Sequence, residues 1–272
     1  MEIGNTKINI EKEIAVVGIV NVTDDSFSGD GLGKDIKKSL LQIEKFVENG
    51  VEIIDIGAES TRPHSLYPDV VEISEKQEID RVVALIKETR KLFDVPISID
   101  TRKSKVAIEA IEAGANIIND ISMMEYDPSI VRVVKNLNVP YVLTHNRKIN
   151  SEKPVTDQVI DHLAEKLDYL ESYGVKIQNI IIDPGFGFNK SIDENISLHK
   201  NLEKVCELGL PVMIGTSRKS FLGKIANDAS VKDREEVSIA SVLSAKEKGV
   251  KLFRVHNAVS IKKILNYIDK LK

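Results

Sequence analysis

The sequence predicts an α/β fold in which eight parallel strands and their helices form a single (β/α)8 barrel. Eight short apolar runs follow one another, and the segments between them have helical apolar spacing. Seven of the runs lead to a residue able to do chemistry, as in parallel barrels with an active site at the carboxyl ends of the strands. The 272 residues are close to the roughly 250 of one such TIM barrel. An open doubly wound sheet is the alternative, because periodicity alone does not show closure.

Eight strands are predicted where the short apolar runs occur between turn residues. They span residues 14–20, 51–56, 97–100, 116–119, 141–144, 179–183, 211–215 and 252–256. A short N-terminal strand or hairpin is predicted at residues 7–14, beneath the barrel. No low-complexity linker or charge block divides the chain, so residues 1–272 are expected to form one domain.

Seven helices are predicted from apolar stripes at three- and four-residue spacing. They span residues 35–49, 74–93, 104–113, 155–173, 194–207, 234–248 and 260–271. Gly50 and Gly114 fit the ends of the first and third helices. Ser74, followed three residues later by Gln77, resembles the capping box that begins a helix.

Composition excludes several functional classes. The net charge of −4 gives no reason to expect a nucleic-acid or membrane partner. The single cysteine, Cys206, excludes an intrachain disulfide and a CxxC metal site. The first residues lack the pattern of a signal peptide, and no apolar run approaches the roughly 20 residues that span a bilayer. We therefore expect a cytoplasmic protein.

The segment Gly215-Thr216-Ser217-Arg218-Lys219-Ser220 follows the seventh predicted strand. Glycine allows a tight turn after a buried strand, and the hydroxyls and free amides that follow can hold a polar or anionic ligand. Two cations stand beside them. The alternative interpretation is a solvated basic loop before a helix.

Asp183 ends a strand of three isoleucines, at the rim of a dry interior. A carboxylate there can accept two parallel N–H bonds from a guanidine-like edge, such as that of an aminopyrimidine. The alternative is a turn cap before Pro184 and Gly185. Three further polar residues at strand ends favour a ligand if they converge on one pocket: Asp100, Asn119 and Lys219.

Arg254 and His256 lie two positions apart on the last predicted strand, so both side chains face the barrel mouth. A guanidinium can stack on a planar ring and a histidine can donate to phosphate, and phosphate sites in barrels often lie near strands seven and eight. Asn21, at the end of the first predicted strand, can offer a neutral oxygen to Mg²⁺. A plain Asx turn is the alternative for Asn21.

Together these segments resemble the dihydropteroate synthases, the folate-pathway enzymes that sulfonamides inhibit. The matching segments run in order from the first strand to the last, so the resemblance covers nearly the whole chain. They are Gly18-Ile19-Val20-Asn21-Val22-Thr23, Asp25-Ser26-Phe27-Ser28, Glu59-Ser60-Thr61-Arg62-Pro63, Ser98-Ile99-Asp100-Thr101, Gly114-Ala115-Asn116-Ile117-Ile118-Asn119-Asp120, Asp183-Pro184-Gly185-Phe186-Gly187-Phe188, Gly215-Thr216-Ser217-Arg218-Lys219-Ser220 and Arg254-Val255-His256.

The resemblance implies a transferase reaction with two small-molecule substrates. The amine of p-aminobenzoate would attack the methylene carbon of 6-hydroxymethyl-7,8-dihydropterin pyrophosphate, which would release pyrophosphate and give 7,8-dihydropteroate. The resemblance also implies Mg²⁺ as cofactor and a homodimer.

The same resemblance assigns roles to individual residues. The pterin would be bound by Asp100, Asn119, Asp183, Lys219 and Arg254. The p-aminobenzoate site would be lined by Thr61, Arg62, Pro63, Phe188 and Ser217. The pyrophosphate would be held by Asn21, Arg254 and His256, with Asn21 as the metal ligand. Catalysis would depend on Lys219, Arg254, His256 and Asn21.

Five positions depart from the usual family pattern. Asp24 stands where proline is usual. Gly29 separates Ser28 from Asp30, whereas in the family an aspartate more often follows the serine directly. The segment at 64–80 is longer than is common. Thr144-His145-Asn146 replaces a usual Met-His-Met, so more polar packing around the pterin is expected, and Asn257 replaces a usual aspartate.

Two other functions remain open at this point. A pterin-binding methyltransferase domain shares the barrel but acts with a corrinoid partner, and its methyl donor has no pyrophosphate for Arg254 and His256 to hold. A non-catalytic pterin-binding relative is supported only by the altered loops.

Overall fold

The computed structural model describes residues 3, 13–22, 34–59, 72–150 and 152–271, and every structural statement below concerns these residues. Strands and helices alternate along the chain. The strands are β1 (Ala15–Asn21), β2 (Ile53–Gly57), β3 (Ile97–Asp100), β4 (Ile117–Asp120), β5 (Tyr141–Thr144), β6 (Ile180–Asp183), β7 (Met213–Ile214) and β8 (Leu252–Val255). The helices are α1 (Lys34–Glu48), α2 (Glu75–Leu92), α3 (Ser104–Glu112), α4 (Ile130–Leu137), α5 (Val155–Ser172), α6 (Ile192–Lys200), α7 (Leu202–Cys206), α8 (Ser220–Ile225), α9 (Glu235–Glu247) and α10 (Ala258–Asp269).

The eight strands are parallel and form a nearly closed barrel. Their order is β6-β5-β4-β3-β2-β1-β8-β7, so β1 pairs with β8 and the first and last strands meet. Between β6 and β7 the contact is a single bridge, in which the Ile182 amide donates to the Pro211 carbonyl over 2.9 Å. The (β/α)8 prediction is confirmed, and the open sheet was the wrong alternative.

An apolar layer, here called the floor, fills the amino-terminal half of the barrel interior. It arises because alternate residues of a strand face the same side. The floor consists of Ile3, Ala15, Val17, Ile53, Ile117, Val142, Ile181, Met213 and Leu252. Ile3 is fully buried in it, although most of the predicted N-terminal strand at 7–14 lies outside the described residues.

The outward residues of the strands pack against the helices in a second, larger apolar cluster. The predicted capping box begins α2: the Gln77 amide donates to Ser74 Oγ over 3.2 Å, and the Ser74 amide donates to Gln77 Oε1 over 3.0 Å. None of the described helices is long and apolar enough to cross a membrane.

The prediction of one helix at 194–207 was wrong. A capping box of Ser191 and Glu194 begins α6 earlier. Asn201 then leaves the helical conformation, and its side-chain amide donates to the Ser197 carbonyl over 2.8 Å, so α6 ends and α7 starts anew. The short helices α4 and α8 were not predicted.

Gly18 marks a close approach between β1 and α1. A Cβ atom at this position would lie 2.6 Å from Phe46 Cδ2, so we expect Gly18→Ala to lower the free energy of unfolding by about 1–3 kcal/mol through overpacking. Denaturant unfolding measures this loss. Adding Phe46→Leu should recover part of it, whereas strictly additive losses would contradict the proposed clash.

Candidate active site

A polar layer lies directly above the floor, at the carboxyl ends of the strands. It arises because residues two positions after a floor residue face the same interior. Five members follow a floor residue in this way: Asp55, Asn119, Thr144, Asp183 and Arg254. Asp100, at the end of β3, is the sixth member of the layer. On β2, β4, β5, β6 and β8 the interior therefore changes from apolar to polar within one step along the strand.

Arg254 joins three strands through two carboxylates. Its Nε donates to Asp55 Oδ2 over 2.7 Å and its Nη2 to Asp100 Oδ2 over 2.5 Å. Burial lowers the pKa of the Arg254 guanidinium, but Asp55 and Asp100 outweigh it and the pKa is raised. Burial raises the pKa of Asp100 to about 7, against the opposing effect of Arg254.

Asp55 is a site residue that the sequence reasoning missed. It is fully buried, and it accepts from the Asn119 side-chain amide at 3.3 and 3.4 Å as well as from Arg254. The other end of that amide, Asn119 Oδ1, is buried without a hydrogen-bond partner among the described residues. Buried acceptors are nearly always paired, so this oxygen indicates a ligand that supplies a donor.

Asp183 presents a buried carboxylate from the end of β6. Its Oδ1 accepts from the Gly185 amide over 2.7 Å. Burial raises the pKa of Asp183, and the nearby Lys219 cation partly offsets this. Gly185 has φ +71°, and a Cβ there would lie 1.8 Å from the His145 carbonyl oxygen, so only glycine fits this turn.

Lys219 lies at the rim beside the same turn. Its ammonium group donates to the Phe186 carbonyl and lies 4.2 Å from the centre of the Phe188 ring. Burial lowers the pKa of Lys219 to about 8, against the opposing charge of Asp183. The site thus holds a cation close to a carboxylate and an aromatic face.

Ser217 and His256 connect the ends of β7 and β8. Ser217 Oγ lies 3.1 Å from His256 Nδ1 and accepts from the His256 amide over 3.3 Å. With its lone pairs directed to that amide, the hydroxyl can donate to Nδ1. In the neutral imidazole this arrangement places the proton on Nε2.

Lys190 and His145, which the sequence reasoning did not place in the site, support the turn of Gly185 and Phe188 from behind. The Lys190 ammonium donates to the carbonyls of Gly185 at 2.9 Å and Phe188 at 3.2 Å, and to His145 Nδ1 at 2.9 Å. Burial, then Lys190 and His162, lower the pKa of His145 to about 2, so His145 stays a neutral acceptor.

The remaining predicted site residues lie at the edge of the described structure. Asn21 ends β1 and is exposed, whereas Thr61, Arg62 and Pro63 lie outside the described residues. The two ends of that segment are held by Lys103, whose ammonium donates to Glu59 Oε1 over 3.1 Å and to the Ile73 carbonyl over 2.9 Å. Lys103 also pairs with the fully buried Glu78 at 2.7 Å.

This arrangement suits a planar ligand with several N–H donors on one edge and an anionic group on the other. The carboxylate and amide oxygens of Asp55, Asn119 and Asp183 on β2, β4 and β6 offer acceptors. The cations Lys219 and Arg254 and the other hydrogen-bond donors lie after β7 and on or after β8. Among the described residues, no group of three or more His, Cys, Asp or Glu side chains could hold a metal ion.

Asp55 provides a test of the buried ion pair. Asp55→Asn should lower the free energy of unfolding by about 3 kcal/mol, because it leaves a buried guanidinium with one carboxylate fewer. Asp100→Asn is the matched control and should cost less, since the Asp100 side chain is 17% exposed and that of Asp55 is 0% exposed. Denaturant unfolding of both variants measures the difference, and equal losses would contradict this account.

The comparisons with known proteins agree with this geometry. The family described as "Pterin binding enzyme" matches residues 17–256. A dihydropteroate synthase from Clostridium beijerinckii is 41% identical over 260 residues, which cover 95% of this chain and 94% of the relative.

Two solved structures share the fold over nearly their whole length. A Clostridium difficile dihydropteroate synthase, crystallised in the presence of pteroic acid, has a TM-score of 0.89 and 32% identity, with 97% of this chain and 99% of that chain covered. A Xanthomonas albilineans dihydropteroate synthase with 4-aminobenzoic acid has a TM-score of 0.87 and 33% identity, with 96% and 93% covered. The chain therefore belongs to the dihydropteroate synthases, within the pterin-binding enzyme family.

Proposed function

We propose that this transferase of folate biosynthesis condenses 6-hydroxymethyl-7,8-dihydropterin pyrophosphate with p-aminobenzoate at the carboxyl-end mouth of the barrel. The observation that carries the proposal is the polar layer above the floor, with the buried acceptors Asn119 Oδ1 and Asp183. A pterin ring has the planar shape and the N–H edge that such acceptors need. The relatives crystallised with pteroic acid and 4-aminobenzoic acid support the same pair of substrates.

The pterin ring lies on the floor and is bound by the polar layer. Asp183 accepts two parallel N–H bonds from the aminopyrimidine edge, and Asn119 Oδ1 receives a further donor. Asp100 and Lys219 bind the remaining polar atoms of the ring. Arg254 stacks on the ring face, and its two carboxylate partners support it by fixing the guanidinium in place.

The pyrophosphate lies over the ends of β1, β7 and β8. The imidazole of His256 and the charge of Arg254 bind its oxygens. Asn21, which ends β1 and is exposed, would offer its neutral amide oxygen to a Mg²⁺ ion bound with the pyrophosphate. When bound, Mg²⁺ neutralises charge on the phosphate oxygens.

The p-aminobenzoate lies farther out, between the Phe188 ring and Ser217. Thr61, Arg62 and Pro63 complete this part of the site, and the ties from Lys103 to both ends of their segment support that placement. Phe188 is itself fixed through Lys190, which holds its carbonyl.

Catalysis consists mainly of stabilising the leaving group. Negative charge builds on the pyrophosphate oxygens as the C–O bond breaks, and Arg254 and His256 are preorganised to receive it. The dihydropterin delocalises the positive charge that develops on the methylene carbon. The aromatic amine attacks with its free lone pair, so the reaction needs no strong base from the protein.

We further propose that residues 1–272 form one domain and that the protein is a cytoplasmic homodimer. The single domain is supported by the unbroken succession of strands and helices in the described residues, and the homodimer by the family resemblance. Light scattering on the purified protein measures its oligomeric state.

The reaction is tested by measuring pyrophosphate release from the pterin pyrophosphate with and without p-aminobenzoate and Mg²⁺. We expect release that requires both and is accompanied by 7,8-dihydropteroate, and removal of the metal with EDTA should stop it. Pterin binding without release would support the non-catalytic relative instead, and methyl transfer to cobalamin would support the methyltransferase.

Asp183→Asn tests the pterin site. The substitution replaces one acceptor with a donor that faces the N–H edge, so 6-hydroxymethylpterin should bind about 100-fold more weakly or worse. Isothermal titration calorimetry measures this affinity. Asp161→Asn, at an exposed aspartate paired with Lys153, is the matched control and should bind normally. Unchanged binding by Asp183→Asn would place the pterin elsewhere.

A further inference from the structure

Thr144 occupies a position in the polar layer that the roles above leave unused. It ends β5 and pairs in register with Asp183 on β6, while Asn119 on β4 lies opposite Val142. Val142 belongs to the floor, so Thr144, two positions later, faces the same interior. Thr144 therefore stands between the two groups that carry the proposed pterin site.

The Thr144 hydroxyl has no hydrogen-bond partner among the described residues, although the residue is only 1% exposed. Asn119 Oδ1, on the neighbouring strand, also has no hydrogen-bond partner among the described residues, and Asn119 is likewise 1% exposed. A buried hydroxyl without a partner is destabilising, and valine would fill the same space without that cost. Two such atoms on adjacent strands indicate a ligand edge that presents donors to both.

The chemistry of the pterin matches this pair of atoms. The exocyclic 2-amino group carries two hydrogens, and Asp183 takes one of them together with the ring N–H. The second hydrogen needs another acceptor, and in the polar layer Asn119 Oδ1 and Thr144 Oγ1 have no hydrogen-bond partner among the described residues. A hydroxyl oxygen accepts such a bond readily.

We propose that Thr144 is a further substrate-binding residue, whose hydroxyl accepts a hydrogen bond from the 2-amino group of the pterin. The inference rests on the proposed function, since it assumes that a pterin occupies the polar layer. It makes Thr144 a specificity residue, because pteridines that lack the amino group do not gain this hydrogen bond.

Thr144→Val tests this role because valine has the shape of threonine without the hydroxyl. Calorimetric titration with 6-hydroxymethylpterin should show binding weaker by about tenfold. Thr144→Ser, which keeps the hydroxyl, should bind about as well as the wild type. The melting temperature of ligand-free Thr144→Val should equal or exceed that of the wild type, because the substitution removes an unpaired buried group. A 2-desamino analogue should bind the wild type and Thr144→Val equally.

The outcomes separate this inference from the proposed function. Equal pterin binding by Thr144→Val and the wild type would overturn the role of Thr144 alone. Weakened binding together with a lower melting temperature in both variants would also overturn it, because it would indicate a packing role. If the wild type itself did not bind 6-hydroxymethylpterin, the proposed pterin site would be wrong and the inference would fall with it.

Discussion

The structure depends on the pairing of one buried cation. Arg254 lies inside the barrel, where an unpaired guanidinium would be strongly destabilising. Its bonds to Asp55 and Asp100 therefore fix the relative positions of β8, β2 and β3 at the level where the interior becomes polar. Asp55 in turn accepts from Asn119 on β4, so four strands share one network. The same network includes Asp100, Asn119 and Arg254 of the proposed pterin site, so the contacts that stabilise the barrel also position the proposed binding groups.

The fold could be predicted because its signals are local. Buried parallel strands appear as short apolar runs, and seven helices carried apolar stripes. The errors arose where the signal was short or the competing interaction was local. The eight residues of α4 and the six of α8 offer little periodicity, and Asn201 broke a continuous apolar stripe through its bond to the Ser197 carbonyl. Closure of the barrel depends on the contact between Ile182 and Val212, which no local pattern reveals.

The site was predictable where polar residues ended strands, and less so where they lay within them. Asp55 was missed inside an apolar run, although its spacing from Gly57 follows the same two-residue rule that placed Arg254 with His256. The support from Lys190 to His145 joins residues 45 positions apart and has no sequence pattern of its own. The binding and catalytic roles of all the predicted site residues stay predictions, and Thr61, Arg62 and Pro63 also lie outside the described structure.

The floor has a consequence for how ligands exchange. Ile3 and the first inward residues of the strands close the amino-terminal end of the interior, so ligands enter and leave through the carboxyl-end mouth. A molecule resting on the floor is then covered by whatever binds above it. The residence time of the inner molecule then depends on the concentration and lifetime of the outer molecule. The outer molecule binds second and dissociates first. A compound that occupied only the outer position would prolong the stay of the inner one without touching a residue that binds it.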